Sequence, residues 1–157
     1  SFSGFLSINN PFGLILNKKN TKMSSRLLQI FGFQVDVYEG GPVENDKILF
    51  IKKGKKMTEL FSEIDDEFYI TDDVEKIVAG IIENEISLNE LKVFSGYSGW
   101  SAKQLDGEVA RKMWTVVDLY NLDYTSPNDQ TLWKKIMQNL GGDYLLWANA
   151  PEDVSMN

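Results

Sequence analysis

The chain contains no cysteine and no histidine. The first absence excludes disulfides, thiolate nucleophiles, iron–sulfur clusters and Cys-rich zinc sites. The second excludes Ser–His–Asp and Cys–His triads and any imidazole general base. Proline is scarce, with four in 157 residues, and no repeat, low-complexity tract or long Pro/Gly/Ser linker divides the chain. No apolar run reaches the about 18 residues that a membrane helix needs. Phe12–Leu16 and Ile77–Ile82, the strongest apolar clusters, are both too short. Positive charge is also in deficit: 16 Lys and Arg face 23 Asp and Glu, a formal charge of −7. That balance argues against a broad phosphate-binding face. The opening SFSGFLSINN lacks a basic stretch leading into an apolar one and does not read as a signal peptide. Together with the missing cysteines, this makes the cytoplasm the expected location.

What is present describes one ordinary folded domain spanning 1–157. The apolar fraction is 43% and the charged fraction 25%, and nine Phe, six Tyr and four Trp supply bulk for a core. Charge is unevenly placed. Residues 1–58 carry nine Lys/Arg and four Asp/Glu, whereas residues 59–157 carry seven and nineteen. The first third is therefore at +5 and the remainder at −12.

Strands are expected at Phe12–Asn17, Gln34–Tyr38, Lys47–Ile51, Glu67–Ile70, Leu91–Phe94 and Trp114–Val117. Helices are expected at Lys22–Phe31, Asp73–Glu83, Ser101–Met113 and from Ser126-Pro127 onward. Asp72 with Glu75, and Ser101 with Gln104, have capping-box spacing. Ser126-Pro127 places Ser at the N-cap and Pro at the first helical position. The elements mix without a βαβ rhythm, which favours an irregular α+β domain over a doubly wound sheet.

Four groups of residues could carry chemistry. Gly40-Gly41-Pro42-Val43 follows a strand, and its bare N–H groups could approach a ligand or simply form a tight exit turn. Phe94 to Leu105 reads as a strand, a Gly-rich turn bearing Tyr97 and Trp100, and a helix start, a geometry that can present N–H groups to an anion. Ser98 sits there as a conceivable nucleophile, but without His it would need Lys103 or a carboxylate as base. Glu63, Asp65, Asp66, Glu67, Asp72 and Asp73 could hold Mg²⁺ or act as an acid/base pair, but a solvated loop plus a helix cap explains all six and is the favoured account. Lys47, Lys52, Lys53, Lys55 and Lys56 could touch phosphate, but no reading helix accompanies them, and a charged hairpin tip is the simpler account.

In order along the chain, several of these residues resemble the AlgH/YqgE family of bacterial proteins. Phe12-Gly13-Leu14-Ile15-Leu16-Asn17-Lys18 is similar to its early strand, and Tyr38-Glu39-Gly40-Gly41-Pro42-Val43 to its GGPV turn. Phe94 through Leu105, with Glu108 and Trp114, resembles its GY-x-GW-x-x-x-QL-x-x-E…W signature. Trp133, Leu140–Tyr144 and Ala148–Asn157 resemble the tail of the Bacteroidetes branch. Two departures stand out: the family's first strand region is missing or shortened before Gly13, and Leu49-Phe50-Ile51 stands where many relatives carry a His.

The resemblance implies an AlgH-like α+β fold, with a bent, partly barrel-like sheet and flanking helices. It also brings the label of a transcriptional regulator, resting on genetic association, and no established reaction. The expectation is a non-catalytic regulatory or interaction protein with no cofactor and no metal. Its partner would be an unidentified protein or small ligand, met at Gly40, Gly41, Pro42, Gly96, Tyr97, Gly99, Trp100 and Gln104. Neither membrane insertion nor direct DNA binding is expected. The alternatives are a hydrolase or transferase using Ser98 or a carboxylate, and a weak nucleic-acid binder using Lys18, Lys19, Lys52, Lys53, Lys55 and Lys56.

Overall fold

The central strands carry consecutive buried residues, Leu49 to Lys52 in one and Leu91 to Gly96 in another. A computed structural model describes residues 3–5, 12–101, 103–114 and 123–125. In chain order they form β1 (Ser3–Phe5), β2 (Phe12–Ile15), α1 (Thr21–Phe31), β3 (Val37–Glu39), β4 (Val43–Lys53), β5 (Ser62–Glu63), β6 (Phe68–Thr71), α2 (Val74–Ile82), a 3₁₀ turn (Leu88–Glu90), β7 (Leu91–Gly99) and α3 (Gln104–Ala110). The expected strand at Trp114–Val117, the helix from Ser126 and the tail lie outside the described residues, apart from Trp114 itself, which is not in a strand.

The strands form one sheet in the order β1-β2-β7-β4-β6-β5. β7 is its organising strand. β4 runs antiparallel along one edge, from Lys52 opposite Leu91 to Val43 opposite Tyr97. The other edge of β7 is shared: β3 pairs parallel over Val93–Ser95, and β2 pairs antiparallel at Ser98 and Gly99. The sheet curls into a half-barrel, in keeping with the expected bent, partly barrel-like form.

One face packs Leu14, Leu16, Tyr38, Leu49, Ile51, Phe68, Ile70 and Phe94. The opposite face packs Val37, Phe50, Leu91 and Val93 against Leu27 of α1 and Ile77 of α2. Because both faces are covered, Leu49 to Lys52 are buried in succession, and the sequence shows a continuous run instead of an alternation.

Helix ends follow local chemistry. Asn20 caps α1 through Oδ1, which accepts from the Met23 N–H at 2.9 Å, and Gly32 ends it in the left-handed region at φ 76°. α2 begins one residue later than expected. Asp73, not Asp72, is its cap and accepts from the Lys76 N–H at 3.1 Å. The Asp72 carboxylate is turned away to Lys47, 3.3 Å distant. The expected apolar stripes are also narrower than they look in sequence: Ile30 is 61% exposed and Ile82 71%. α3 is shorter than Ser101–Met113, and only half of its capping box is formed, with Gln104 Oε1 accepting from the Ser101 N–H at 3.3 Å.

The strand expected at Leu91–Phe94 continues to Gly99, so the expected Gly-rich turn is part of the sheet. Gly96 makes this continuation possible. It adopts φ 70° within the strand, and a Cβ there would stand 2.5 Å from the Gly41 carbonyl oxygen. Opposite this bend β4 is bulged, with its register shifting between Val43 and Ile48, and Glu44 takes φ 47°.

Candidate functional site

Where β7 ends, the curled sheet opens into a groove of about 480 Å³. Tyr97, Gly99 and Trp100 line it beside Phe12 of β2, Leu49 of β4, Ile70 of β6 and Leu60. The pairing of β2 with the end of β7 puts Phe12 against Tyr97, edge to face with ring centroids 5.9 Å apart. Tyr97 and Trp100 are half-buried, and Leu60, 63% exposed, forms an apolar rim.

Trp100 is held from behind by α3. Its indole Nε1 donates to Glu108 Oε2 at 3.0 Å, and Trp114 Nε1 donates to the same oxygen at 2.7 Å. Gln104 Nε2 donates to Glu108 Oε1 at 3.0 Å, and the two indoles meet edge to face at 5.9 Å. These contacts hold the Glu108 carboxyl below its ordinary range, Trp114 first, then Gln104, with Trp100 and the Arg111 charge adding and desolvation opposing. Family-like spacing of Trp100, Gln104, Glu108 and Trp114 thus has a direct meaning: one carboxylate gathers three N–H donors.

The polar side of the groove is a charge pair. Lys47 Nζ lies 3.3 Å from Asp72 and 3.7 Å from Glu44. The hydrogen bond to Asp72 is the main reason the Lys47 ammonium titrates above its usual range, while burial pulls the other way.

The other expected site residues lie elsewhere. Gly40, Gly41 and Gly96 are buried where the β3–β4 connection crosses β7. The Gly40 N–H donates to the Ser95 carbonyl at 2.9 Å, and its own carbonyl accepts from the Ile15 N–H at 2.9 Å. Gly40 is thus tied to strands on either side, and none of the three glycines lines the groove. Pro42 and Gln104 are exposed and do not line it either. Ser98 Oγ donates to the Gly40 carbonyl at 3.3 Å, a bond that joins the two glycine segments.

The acidic set is dispersed by the fold. Asp65 Oδ1 accepts from the Glu67 and Phe68 N–H groups, Asp73 caps α2, and Asp72 faces Lys47. Among the described residues, no three His, Cys, Asp or Glu side chains are placed to share a metal ion. The lysines are dispersed as well. Lys18 pairs with Glu39 at 3.2 Å, Lys19 with Asp36 at 3.9 Å, Lys53 with Asp123 at 3.3 Å and Lys56 with Glu59 at 3.4 Å. Lys52 is not part of a solvated hairpin tip: it is 5% exposed, donates to the Lys53 carbonyl at 2.9 Å and lies 3.7 Å from Glu90.

Sequence reasoning missed Phe12, Lys47 and Asp72 as groove residues, and it missed Lys92. Lys92 is 4% exposed, with Nζ 4.3 Å from the Tyr38 ring centroid, and burial lowers its pKa to about 8 against the opposing charge of Asp123. One signal for Asp72 was available: of two adjacent aspartates before a helix, only one can cap it.

The AlgH-like family pattern matches residues 7–145. The chain belongs to the AlgH-like family. A UPF0301 protein of Cytophaga hutchinsonii is 30% identical over 148 residues, covering 93% of this chain and 81% of the relative. One from Chlorobaculum parvum is 32% identical over 149 residues, covering 92% and 78%. The fold is that of the solution structure of AlgH from Pseudomonas aeruginosa, with a TM-score of 0.74 at 17% identity over 95% of this chain and 83% of that one. A crystal structure of a Corynebacterium diphtheriae protein is also similar, with a TM-score of 0.67 at 17% identity over 94% and 82%. The AlgH-like sheet and its helices are therefore shared well beyond the range of close sequence similarity. Among the described residues, no helix of this AlgH-like chain is long and apolar enough to cross a membrane.

Proposed function

We propose that this AlgH-like chain is a non-catalytic cytoplasmic binding protein of regulatory type, with the Tyr97–Trp100 groove as its working surface. The observation that carries the reading is the placement of Tyr97 and Trp100: both are half-buried on the wall of an open groove, with apolar surface beside them. Rigid aromatic side chains in such a position supply contact area at low entropic cost. The Ser98 hydroxyl, donated to the Gly40 carbonyl, lends no support to a nucleophile. The pairing of Lys18, Lys19, Lys53 and Lys56 with carboxylates reduces the positive field that nucleic acid would need. A regulatory role exercised through protein contacts fits both features, and the cysteine-free composition fits the cytoplasm.

The test is affinity capture with the wild-type chain, Tyr97→Ala and Leu60→Ser, each checked for an unchanged fold by circular dichroism. The expected outcome is a specific set of captured proteins that both variants lose. Leu60→Ser guards against a folding artefact, because Leu60 is largely exposed. Identical capture by wild type and both variants would overturn the assignment of the groove.

A further inference from the structure

We infer that the groove receives a basic segment of a partner protein, in which a Lys or Arg side chain stands beside a large apolar one. The inference rests on the reading of the groove as a binding surface and adds the chemistry of what binds there.

Charge at the groove decides the sign. Among the described lining residues Lys47 is the only cation, and its ammonium is already shared by Asp72 at 3.3 Å and Glu44 at 3.7 Å. Two carboxylates thus surround this one ammonium, Asp72 on the groove lining and Glu44 beside it. An incoming carboxylate or phosphate would have to compete with two carboxylates for Lys47, whereas a cation can approach the exposed Asp72 carboxylate from the side away from Lys47. The longer-range field acts in the same direction. The chain as a whole is at −7. A field of that sign steers cations toward the surface.

The wall decides the apolar part. Trp100 Nε1 is already donated to Glu108, so the ring offers its carbon surface to a ligand, as Phe12 does. Aromatic faces accept both an aliphatic or aromatic side chain and the stem of a Lys or Arg. A polypeptide segment suits the open shape. Ser62 of β5 lines the groove, and β5 is the last strand of the sheet among the described residues. An extended chain lying beside β5 could use main-chain hydrogen bonds for affinity and place alternate side chains into the groove.

The test is fluorescence anisotropy with a labelled heptapeptide alternating Lys with Leu and Phe, and with its twin carrying Glu in place of Lys. Both are titrated at about 20 and about 200 mM salt. The basic peptide is expected to bind at least about tenfold more tightly than the acidic one and to weaken as salt rises. Asp72→Asn and Leu60→Ser, both at exposed positions, are each expected to weaken it about fivefold. Equal or tighter binding of the acidic peptide, still weakened by Leu60→Ser, would overturn the basic class while leaving the groove standing. Binding insensitive to both substitutions, or no binding of either peptide, would overturn the inference. The groove reading itself falls only if Leu60→Ser and Tyr97→Ala also leave the captured proteins unchanged.

Discussion

Two glycine-rich segments meet in this molecule, and they do opposite things. At Gly40, Gly41 and Gly96 the backbones come so close that a side chain on any of the three would collide with a facing main-chain or side-chain atom. Three residues later, at Gly99, a Cβ would meet nothing nearer than the Tyr97 ring at 3.9 Å. The first set is a buried crossing that lets β7 continue past the β3–β4 connection. The second lies on the groove between two aromatic side chains. In sequence Gly96 and Gly99 look alike, each standing between a serine and an aromatic residue. The difference teaches that a glycine motif reports a function only after its neighbours in space are known.

The comparison can be broken most severely at the crossing. Gly40→Ala would push a methyl group into the Gly96 carbonyl and the Leu14 side chain. It is expected to lower the unfolding free energy by about 2–4 kcal/mol, measured by urea denaturation. A loss below about 0.5 kcal/mol would mean the crossing is not tightly packed.

An intermediate effect is expected behind the groove. The Glu108 carboxyl titrates below its ordinary range in the folded chain, chiefly through the Trp114 indole and then Gln104. Its contribution is therefore fully present above the ordinary carboxylate pKa and is lost as pH falls through the lower folded value. Tryptophan emission should hold steady through neutral and mildly acidic pH and change once Glu108 takes up its proton. Glu108→Gln should remove that acid transition, and its survival in the variant would assign it to another carboxylate.

The smallest effect belongs to Gly99→Ala, which meets no close atom and carries no left-handed φ. Its stability should stay within about 0.5 kcal/mol of wild type by the same denaturation experiment. Together with Gly40→Ala it gives a direct contrast between a structural glycine and one exposed on the groove.

Much of the fold was legible in the residues. The apolar run of Leu49–Ile51, the stripe of Ile77 and Ile81, and the alternation around Tyr38 each located a real element. The limits appeared where local rules compete with distant partners. Asp72 has a good capping pattern, but Lys47 from another strand claims its carboxylate and the cap passes to Asp73. Gly96 looked like a strand terminator, but Gly41 opposite it turns that residue into a bend within a longer strand. Lys52 looked like part of a charged hairpin tip and Lys92 drew no notice, but a sheet covered on both faces buries them both. The groove was half visible: Tyr97 and Trp100 were marked by their Gly-aromatic setting, whereas Phe12, Lys47, Asp72 and Leu60 come from four separate stretches that no spacing rule connects.

By itself the sequence determined the family, the α+β class and the chemistry unavailable to it, since residue type and order suffice for those. Absent thiol and imidazole groups cannot be supplied by folding. Only the tertiary structure decided which glycines are buried, which carboxylates are spent on caps and lysines, and which aromatic side chains face an open groove. Those outcomes depend on contacts between residues distant in the chain, such as Gly41 with Gly96 or Lys47 with Asp72, and local sequence carries no record of which pairs will meet.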